Sequence, residues 1–246
     1  MVFSYTGIAY LLAFFAVGLL TYRFFQYWQN EKTTTAKLFF YSIGMFALHM
    51  LITAIAVLFF ILDGQILKIL TLLTIFIQNV GLSVCGSLII DLKFPRISPW
   101  WGFLIVSFLG LVTLVLYISI PFSPHLEESG GIDWDNQPLP GMLRFFIFLI
   151  TFLPLAIILI QQIRISEEPL IKKKALGLSL VLIFGIVAAL SDFFLETILK
   201  LNTISSDIAM IIVGLVALIV IFFTQKPPSP KAEKEYTPPT FPKIPW

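Results

Sequence analysis

The chain has 246 residues, of which 58% are hydrophobic and only 12% are charged, and it carries 25 Phe. A soluble domain has about 25% charged residues, and a soluble globule could not bury this much apolar surface because much of any folded surface stays in contact with water. The composition therefore excludes a soluble enzyme and excludes disorder over the bulk of the chain. The net charge of +2 gives no electrostatic reason to bind nucleic acid, so no nucleic-acid partner is expected.

Seven apolar runs are each long enough, at about 20 residues, to cross a hydrocarbon core as a helix. They cover residues 7–28, 38–62, 66–90, 100–122, 141–163, 175–199 and 208–224. Transmembrane strands would show short alternating segments of about 10 residues instead. The sequence predicts an all-α, polytopic membrane protein whose seven-helix domain covers residues 1–225.

The basic residues predict the orientation of these spans. Thirteen of the 16 Lys and Arg lie on one side of the predicted membrane, and the other side has Lys68, Arg144 and Lys200. The positive-inside rule places the richer side in the cytoplasm, so we expect the N-terminus outside and the C-terminus inside. A cleavable signal peptide requires a positively charged segment before its apolar run. No Lys or Arg precedes Arg23, so the first span is expected to be retained.

The composition changes after Gln225. Residues 227–246 contain seven prolines, which remove hydrogen-bond donors and favour an extended polyproline conformation. We interpret residues 226–246 as a disordered cytoplasmic tail that could dock a protein partner and that is too short to form an output domain.

Polar side chains near the centre of a span are expensive in lipid and are therefore candidates for function. His49 lies at the centre of span two, and Gln78 and Asn79 lie at the centre of span three. A short loop joins these spans, so we expect His49 to contact Gln78 or Asn79. Two interpretations stay open: a ligand or proton site between helices, or a hydrogen bond that only supports packing. Asn79 also shares a helix face with Ser83 and Ser87, whose small side chains permit close helix approach.

Two carboxylates, Asp192 and Glu196, lie one helical turn apart in the outer half of span six. Such a pair suits a proton or cation site, or a pocket for a cationic ligand; alternatively, Glu196 reaches the headgroups and Asp192 accepts a hydrogen bond from a neighbour. We predict that Asp192 lines a pocket open to the outside, beneath the acidic loop between Phe122 and Gly141. That loop is either a cap over the pocket or a solvated connection.

The residue inventory predicts no catalytic residue, no cofactor and no metal site. One cysteine, Cys85, and two histidines cannot form a structural zinc site, and no span carries the central lysine that a retinal Schiff base needs. We therefore expect a protein that is not an enzyme.

Two basic-then-apolar segments carry a family resemblance. They are residues 36–48, which begin Ala-Lys-Leu-Phe-Phe, and residues 172–178, Lys-Lys-Lys-Ala-Leu-Gly-Leu, followed by Gly185. Together with seven spans, this pattern resembles the seven-helix sensory region at the N-terminus of some bacterial histidine kinases and diguanylate cyclases. The resemblance implies a bacterial cell membrane and a sensor that responds to a ligand.

Because we expect no output domain after span seven, such a sensor or adaptor would act through a partner protein as well as contacting the lipid bilayer. The alternative is a transporter, a channel or an accessory subunit of a membrane complex.

Overall fold

The computed structural model describes residues 4–199 and 203–225, except for the side chains of residues 192, 196, 197 and 203–205. Within these residues lie seven helices that are long and apolar enough to cross a membrane. These helices, α1 to α7, are Tyr5–Glu31, Thr34–Phe60, Gly64–Lys93, Trp100–Ser119, Pro138–Ile165, Pro169–Ser191 and Thr203–Thr224. The predicted all-α fold with seven helices apolar enough to cross a membrane is confirmed. The predicted tail, 226–246, lies outside the described residues.

Capping residues begin α2 and α3 directly after very short turns. The Thr33 hydroxyl accepts a hydrogen bond from the Ala36 N–H at 3.2 Å, and the Asp63 carboxylate accepts from the Gln65 and Ile66 N–H groups. Each cap satisfies amide donors that the first helical turn leaves free. Turns this short make α1, α2 and α3 antiparallel neighbours.

Six of the described helices form a closed ring. Around it, α1 packs against α2, α2 against α3, α3 against α5, α5 against α6, α6 against α7, and α7 against α1. Helix α4 lies outside the ring, where it packs against α3 and α5. Because α4 covers its outer face, α3 is the most buried helix, with 67% of its apolar stretch covered against 39% or less for the other six.

Small residues bring α3 and α4 into close contact. A Cβ on Gly86 would lie 2.6 Å from the Gly102 carbonyl oxygen, so the two backbones touch at this point. About one turn away, the Ser107 hydroxyl donates to the Ser83 hydroxyl at 2.9 Å. This is the close approach that small residues allow between membrane helices.

The long acidic loop contains a two-stranded antiparallel hairpin, β1 (His125–Leu126) and β2 (Ile132–Asp133). Ile132 is 0% exposed and packs in a cluster with Val57 and Leu67, at the ends of α2 and α3. The hairpin is therefore packed on the bundle through Ile132, while Ser123, His125 and Glu128 of the same loop are exposed, so the choice between a cap and a solvated connection stays open.

The first and last helices are joined through the hairpin. The Thr6 hydroxyl donates to Asp207 Oδ2 at 2.6 Å and accepts from the Ile132 N–H at 2.9 Å. One threonine thus ties together α1, α7 and β2, which closes the ring at this end.

At the opposite end of the bundle, side-chain contacts connect the helix ends near which most of the basic residues lie. The Thr35 hydroxyl donates to Asp91 Oδ2 at 2.7 Å, Gln225 Nε2 donates to the Lys174 carbonyl at 3.0 Å, and Lys174 Nζ lies 4.5 Å from the centre of the Tyr27 ring. We call this the basic end; that it faces the cytoplasm stays a prediction.

Large apolar side chains cover the outside of the bundle. Trp100 is 67% exposed and Phe108 is 65% exposed on α4. Outward-facing side chains of this kind contact lipid in a membrane protein, so the bilayer is a direct partner of the chain.

Candidate functional site

A central cavity of about 230 Å³ lies inside the ring of helices. Residues of α1, α2, α3, α5, α6 and α7 line it, and Tyr117 and Asn136 reach it from the end that carries the hairpin. The Tyr117 hydroxyl donates to Asn136 Oδ1 at 3.0 Å. Ligand sites in helical membrane proteins are commonly such spaces between helices.

Arg144 and Gln78 form the polar centre of this cavity. Arg144 Nε on α5 donates to Gln78 Oε1 on α3 at 2.7 Å, and both residues line the cavity. The contact crosses from one helix to another and provides an acceptor for a charged group within the bundle, where an unpaired charge would be costly.

His49 lies beside this pair on α2. Its Nδ1 is 3.1 Å from the Thr74 carbonyl oxygen on α3. A carbonyl can only accept, so Nδ1 carries the proton, and in a neutral imidazole Nε2 is then a hydrogen-bond acceptor. His49 is 3% exposed and lines the cavity.

The structure confirms that His49 contacts span three, but the expected side-chain partner is wrong. Its hydrogen bond goes to the backbone of Thr74, while Gln78 Oε1 accepts from Arg144. The physical reason is that the α2–α3 packing brings a carbonyl of α3 within reach of the ring, and the stronger charged donor takes the amide oxygen.

Asn79 belongs to a different surface. Its Nδ2 donates to the Gly110 carbonyl on α4 at 3.0 Å, on the same face as the Ser83–Ser107 contact. The predicted face of Asn79, Ser83 and Ser87 is therefore turned away from α2 towards α4. For Asn79, the interpretation as a packing residue is the one that agrees with its contacts.

Aromatic side chains form much of the apolar wall. The Phe46 and Phe152 ring centres lie 5.4 Å apart, and those of Phe148 and Phe152 lie 5.1 Å apart. Edge-to-face packing of this kind holds rings in defined orientations. The cavity thus joins a polar cluster to a stiff apolar surface.

The hairpin end covers the polar cluster. The Tyr10 ring on α1 packs edge-on against His49, with centres 6.2 Å apart, and against Trp134, with centres 6.1 Å apart. Trp134 packs on the cluster that contains Ile132. A chain of aromatic contacts therefore connects the hairpin segment to the histidine.

A second cavity of about 150 Å³ lies at the basic end, with Tyr27, Lys174 and Gln225 in its wall. Phe39 and Leu178 line both cavities. The Phe39 ring stacks on Phe24, with ring centres 4.8 Å apart. Two apolar side chains therefore lie between the two spaces.

The side chains of Asp192 and Glu196 lie outside the described part of the structure, so the predicted pocket around them stays a prediction. Their backbone forms a π-helix, Asp192–Ile198, that continues α6. The Leu199 N–H donates to the Phe194 carbonyl at 3.0 Å, five residues back. The sequence-based expectation that Asp192 and Glu196 lie one turn apart assumes an α-helix. This stretch is a π-helix, in which a turn contains more residues.

Sequence reasoning missed Arg144 and Tyr10 as members of the site. The charge pattern of the sequence places Arg144 only among the basic residues of the outer side. Its position inside the predicted span 141–163 is a signal that could have identified it, because a charge within a span calls for a partner. Tyr10 has no such signal, since an aromatic residue in an apolar span is ordinary.

Comparison of the chain with protein-family models, with curated proteins and with solved structures finds no significant match. The site therefore has to be interpreted from its own geometry. It offers hydrogen-bond donors and acceptors in one region and aromatic and aliphatic walls elsewhere. Within the described residues, no group of three or more His, Cys, Asp or Glu is arranged to hold a metal ion.

Proposed function

We propose that this protein is a non-enzymatic sensor or adaptor, in the bacterial cell membrane that the family resemblance implies, and that it binds a small, largely apolar ligand in the central cavity. The observation that carries the proposal is the cavity itself, a space of about 230 Å³ lined by residues of six helices, with Arg144, Gln78 and His49 in its wall. Intramembrane polar groups that line a cavity are typical of ligand sites.

Helix α7 supplies a route from the cavity to the basic end. Met210, Gly214 and Ala217 of α7 line the cavity, and the helix is followed by Gln225, whose side chain is held by the Lys174 carbonyl of α6. The proline-rich tail follows at once in the sequence. A ligand that displaces α7 from α6 would move the origin of the tail, where we place the partner protein.

The test fills the cavity from α7. A Cβ on Gly214 would have no neighbour within 4 Å, so Gly214→Leu extends into open space. The probe is an octane carrying a photoreactive diazirine, added to membranes that contain the full chain, with labelled residues identified by mass spectrometry. We expect the wild-type protein to be labelled on cavity-lining residues and Gly214→Leu to lose that labelling at least tenfold.

Gly18→Leu is the matched control, because Gly18 also has space around its Cβ, with Phe14 at 3.9 Å, and is not among the residues that line the cavity. It should be labelled like the wild type. Absence of cavity labelling in the wild type, or equal labelling in Gly214→Leu, would overturn the proposal.

One observation favours the alternative of a transporter. The two cavities are separated by Phe39 and Leu178, so a shift of these two side chains would join them into a path from the ring centre to the basic end. Movement of the octane probe into sealed vesicles that contain the purified protein, beyond its leak into empty ones, would favour transport over sensing.

A further inference from the structure

His49 and Gln78, two buried polar side chains near Arg144, indicate which head group a ligand of the central cavity carries. This inference rests on the proposed function, since it concerns the same cavity. His49 and Gln78 are each 3% exposed, and both line the cavity.

Each of these side chains forms one hydrogen bond within the protein. His49 Nδ1 donates to the Thr74 carbonyl, and Gln78 Oε1 accepts from Arg144 Nε. Among the described residues, His49 Nε2 and Gln78 Nε2 take part in no hydrogen bond. Neither nitrogen is among the fully buried side-chain atoms of the described residues that lack a partner, and both residues line the cavity, so a polar group of a bound ligand can reach these nitrogens.

The chemistry of the two nitrogens is complementary. His49 Nε2 is an acceptor in the neutral imidazole, because Nδ1 carries the proton, and the Gln78 amide nitrogen is a donor. One group that satisfies both is a hydroxyl, which donates one hydrogen bond and accepts others. An ether or a ketone satisfies only Gln78, and a hydrocarbon satisfies neither.

The size of the cavity limits the rest of the ligand. A buried apolar cavity of about 150 Å³ accepts benzene, so about 230 Å³ accommodates roughly nine non-hydrogen atoms on the same scale. The walls beyond the polar cluster are aromatic and aliphatic, with Phe46, Phe148 and Phe152 among them.

We propose that the cavity binds a medium-chain amphiphile that ends in a hydroxyl group, with the hydroxyl donating to His49 Nε2 and accepting from Gln78 Nε2, and with the chain against the phenylalanine wall. The sensor would then respond to medium-chain alcohols, and the polar cluster would select the head group.

The experiment is competition against the diazirine–octane probe in membranes that contain the full chain. Three competitors of similar length differ only in their head: 1-octanol donates and accepts, 1-methoxyoctane only accepts, and octane does neither. Concentrations are expressed per lipid, so that unequal partitioning into the bilayer does not imitate affinity. We expect 1-octanol to compete at about tenfold lower concentration than 1-methoxyoctane, and 1-methoxyoctane at lower concentration than octane, because each step removes one hydrogen bond.

Two variants test which side chain is responsible for each of the two differences between the competitors. His49→Phe keeps a ring beside Tyr10 and removes the acceptor, so it should abolish the preference for 1-octanol over 1-methoxyoctane. Gln78→Glu keeps an oxygen for Arg144 and removes the amide donor, so it should abolish the preference for 1-methoxyoctane over octane.

The outcomes separate this inference from the proposed function. Equal competition by 1-octanol and octane in the wild type would overturn the hydroxyl ligand while leaving the cavity site intact, and this comparison needs no variant to fold. A preference for 1-octanol that persists in His49→Phe would also overturn it. Failure of the probe to label the wild-type cavity would instead overturn the proposed function.

Discussion

Arg144 holds a positive charge inside the bundle, and its contact with Gln78 is the shortest polar contact described in the cavity wall, at 2.7 Å. A guanidinium that loses an acceptor within a membrane protein is destabilising because no water replaces the partner freely. The pair therefore supports the fold as well as shaping the cavity.

This pair gives a prediction at the scale of single residues. Gln78→Leu removes the oxygen that accepts from Arg144, so we expect a loss of about 1–2 kcal/mol in the free energy of unfolding. Gln78→Glu retains an oxygen at the same distance and should lose less than half as much. Unfolding in mixed micelles by added denaturing detergent measures both. Equal losses in the two variants would show that the hydrogen bond contributes nothing to stability.

Depth in the membrane could be predicted for the polar residues, but direction could not. His49, Gln78 and Asn79 do lie near the middle of α2 and α3, as the sequence indicates. Neighbouring residues on a helix point about 100° apart, so Gln78 faces the cavity and Asn79 faces α4. The rotation of α3 about its axis depends on how α2, α4 and α5 pack against it. The sequence of a single span therefore does not predict which of its residues face the cavity.

At the scale of helices, the contact between α3 and α4 depends on backbone approaching backbone. We predict that Gly86→Val lowers the free energy of unfolding by about 1–3 kcal/mol, because the added atoms meet the Gly102 carbonyl oxygen, and backbone cannot move aside as a flexible side chain does.

The matched control is Gly18→Val, which has the same change in side chain but space to receive it. It should be near neutral, since the replacement of glycine in a helix offsets any small cost of packing. Detergent-induced unfolding compares the two, and a Gly86→Val protein as stable as the control would refute the close contact.

The helices could be predicted from the sequence because long apolar runs have few alternatives in lipid. Each of the seven predicted spans overlaps one helix of the structure. The hairpin strands could not be predicted, since two residues each are too short to show alternation. The π-helix at Asp192–Ile198 was also missed, because one extra residue in a turn leaves no mark in hydrophobicity.

At the scale of the molecule, the ring places the hairpin and the basic end on opposite sides. The closure of α1 on α7 and the exclusion of α4 from the ring could not be predicted, because all seven spans have similar composition and any of them could pack inside. Orientation, in contrast, is predicted by charge alone and needs its own test.

Two matched cysteine variants test the orientation. Glu128 lies at the hairpin and Glu167 in the loop before α6, and both are exposed, whereas the native Cys85 is buried. A membrane-impermeant maleimide should label Glu128→Cys in intact cells and label Glu167→Cys only after lysis. The reverse pattern would contradict the predicted orientation.

The bond between Thr6 and Asp207 has a consequence for biosynthesis. Its partners are 201 residues apart in the chain, and at about 5–20 residues per second the ribosome needs roughly 10–40 s to add that length. Through this interval the chain lacks α7, the helix that packs against both α1 and α6, so the wall around His49 and Gln78 is incomplete. Because Met210, Gly214 and Ala217 of α7 belong to its wall, the cavity cannot be complete before α7 has been inserted. A truncation within α7 therefore removes part of the wall opposite cavity residues of α1 and α2, which are synthesised first.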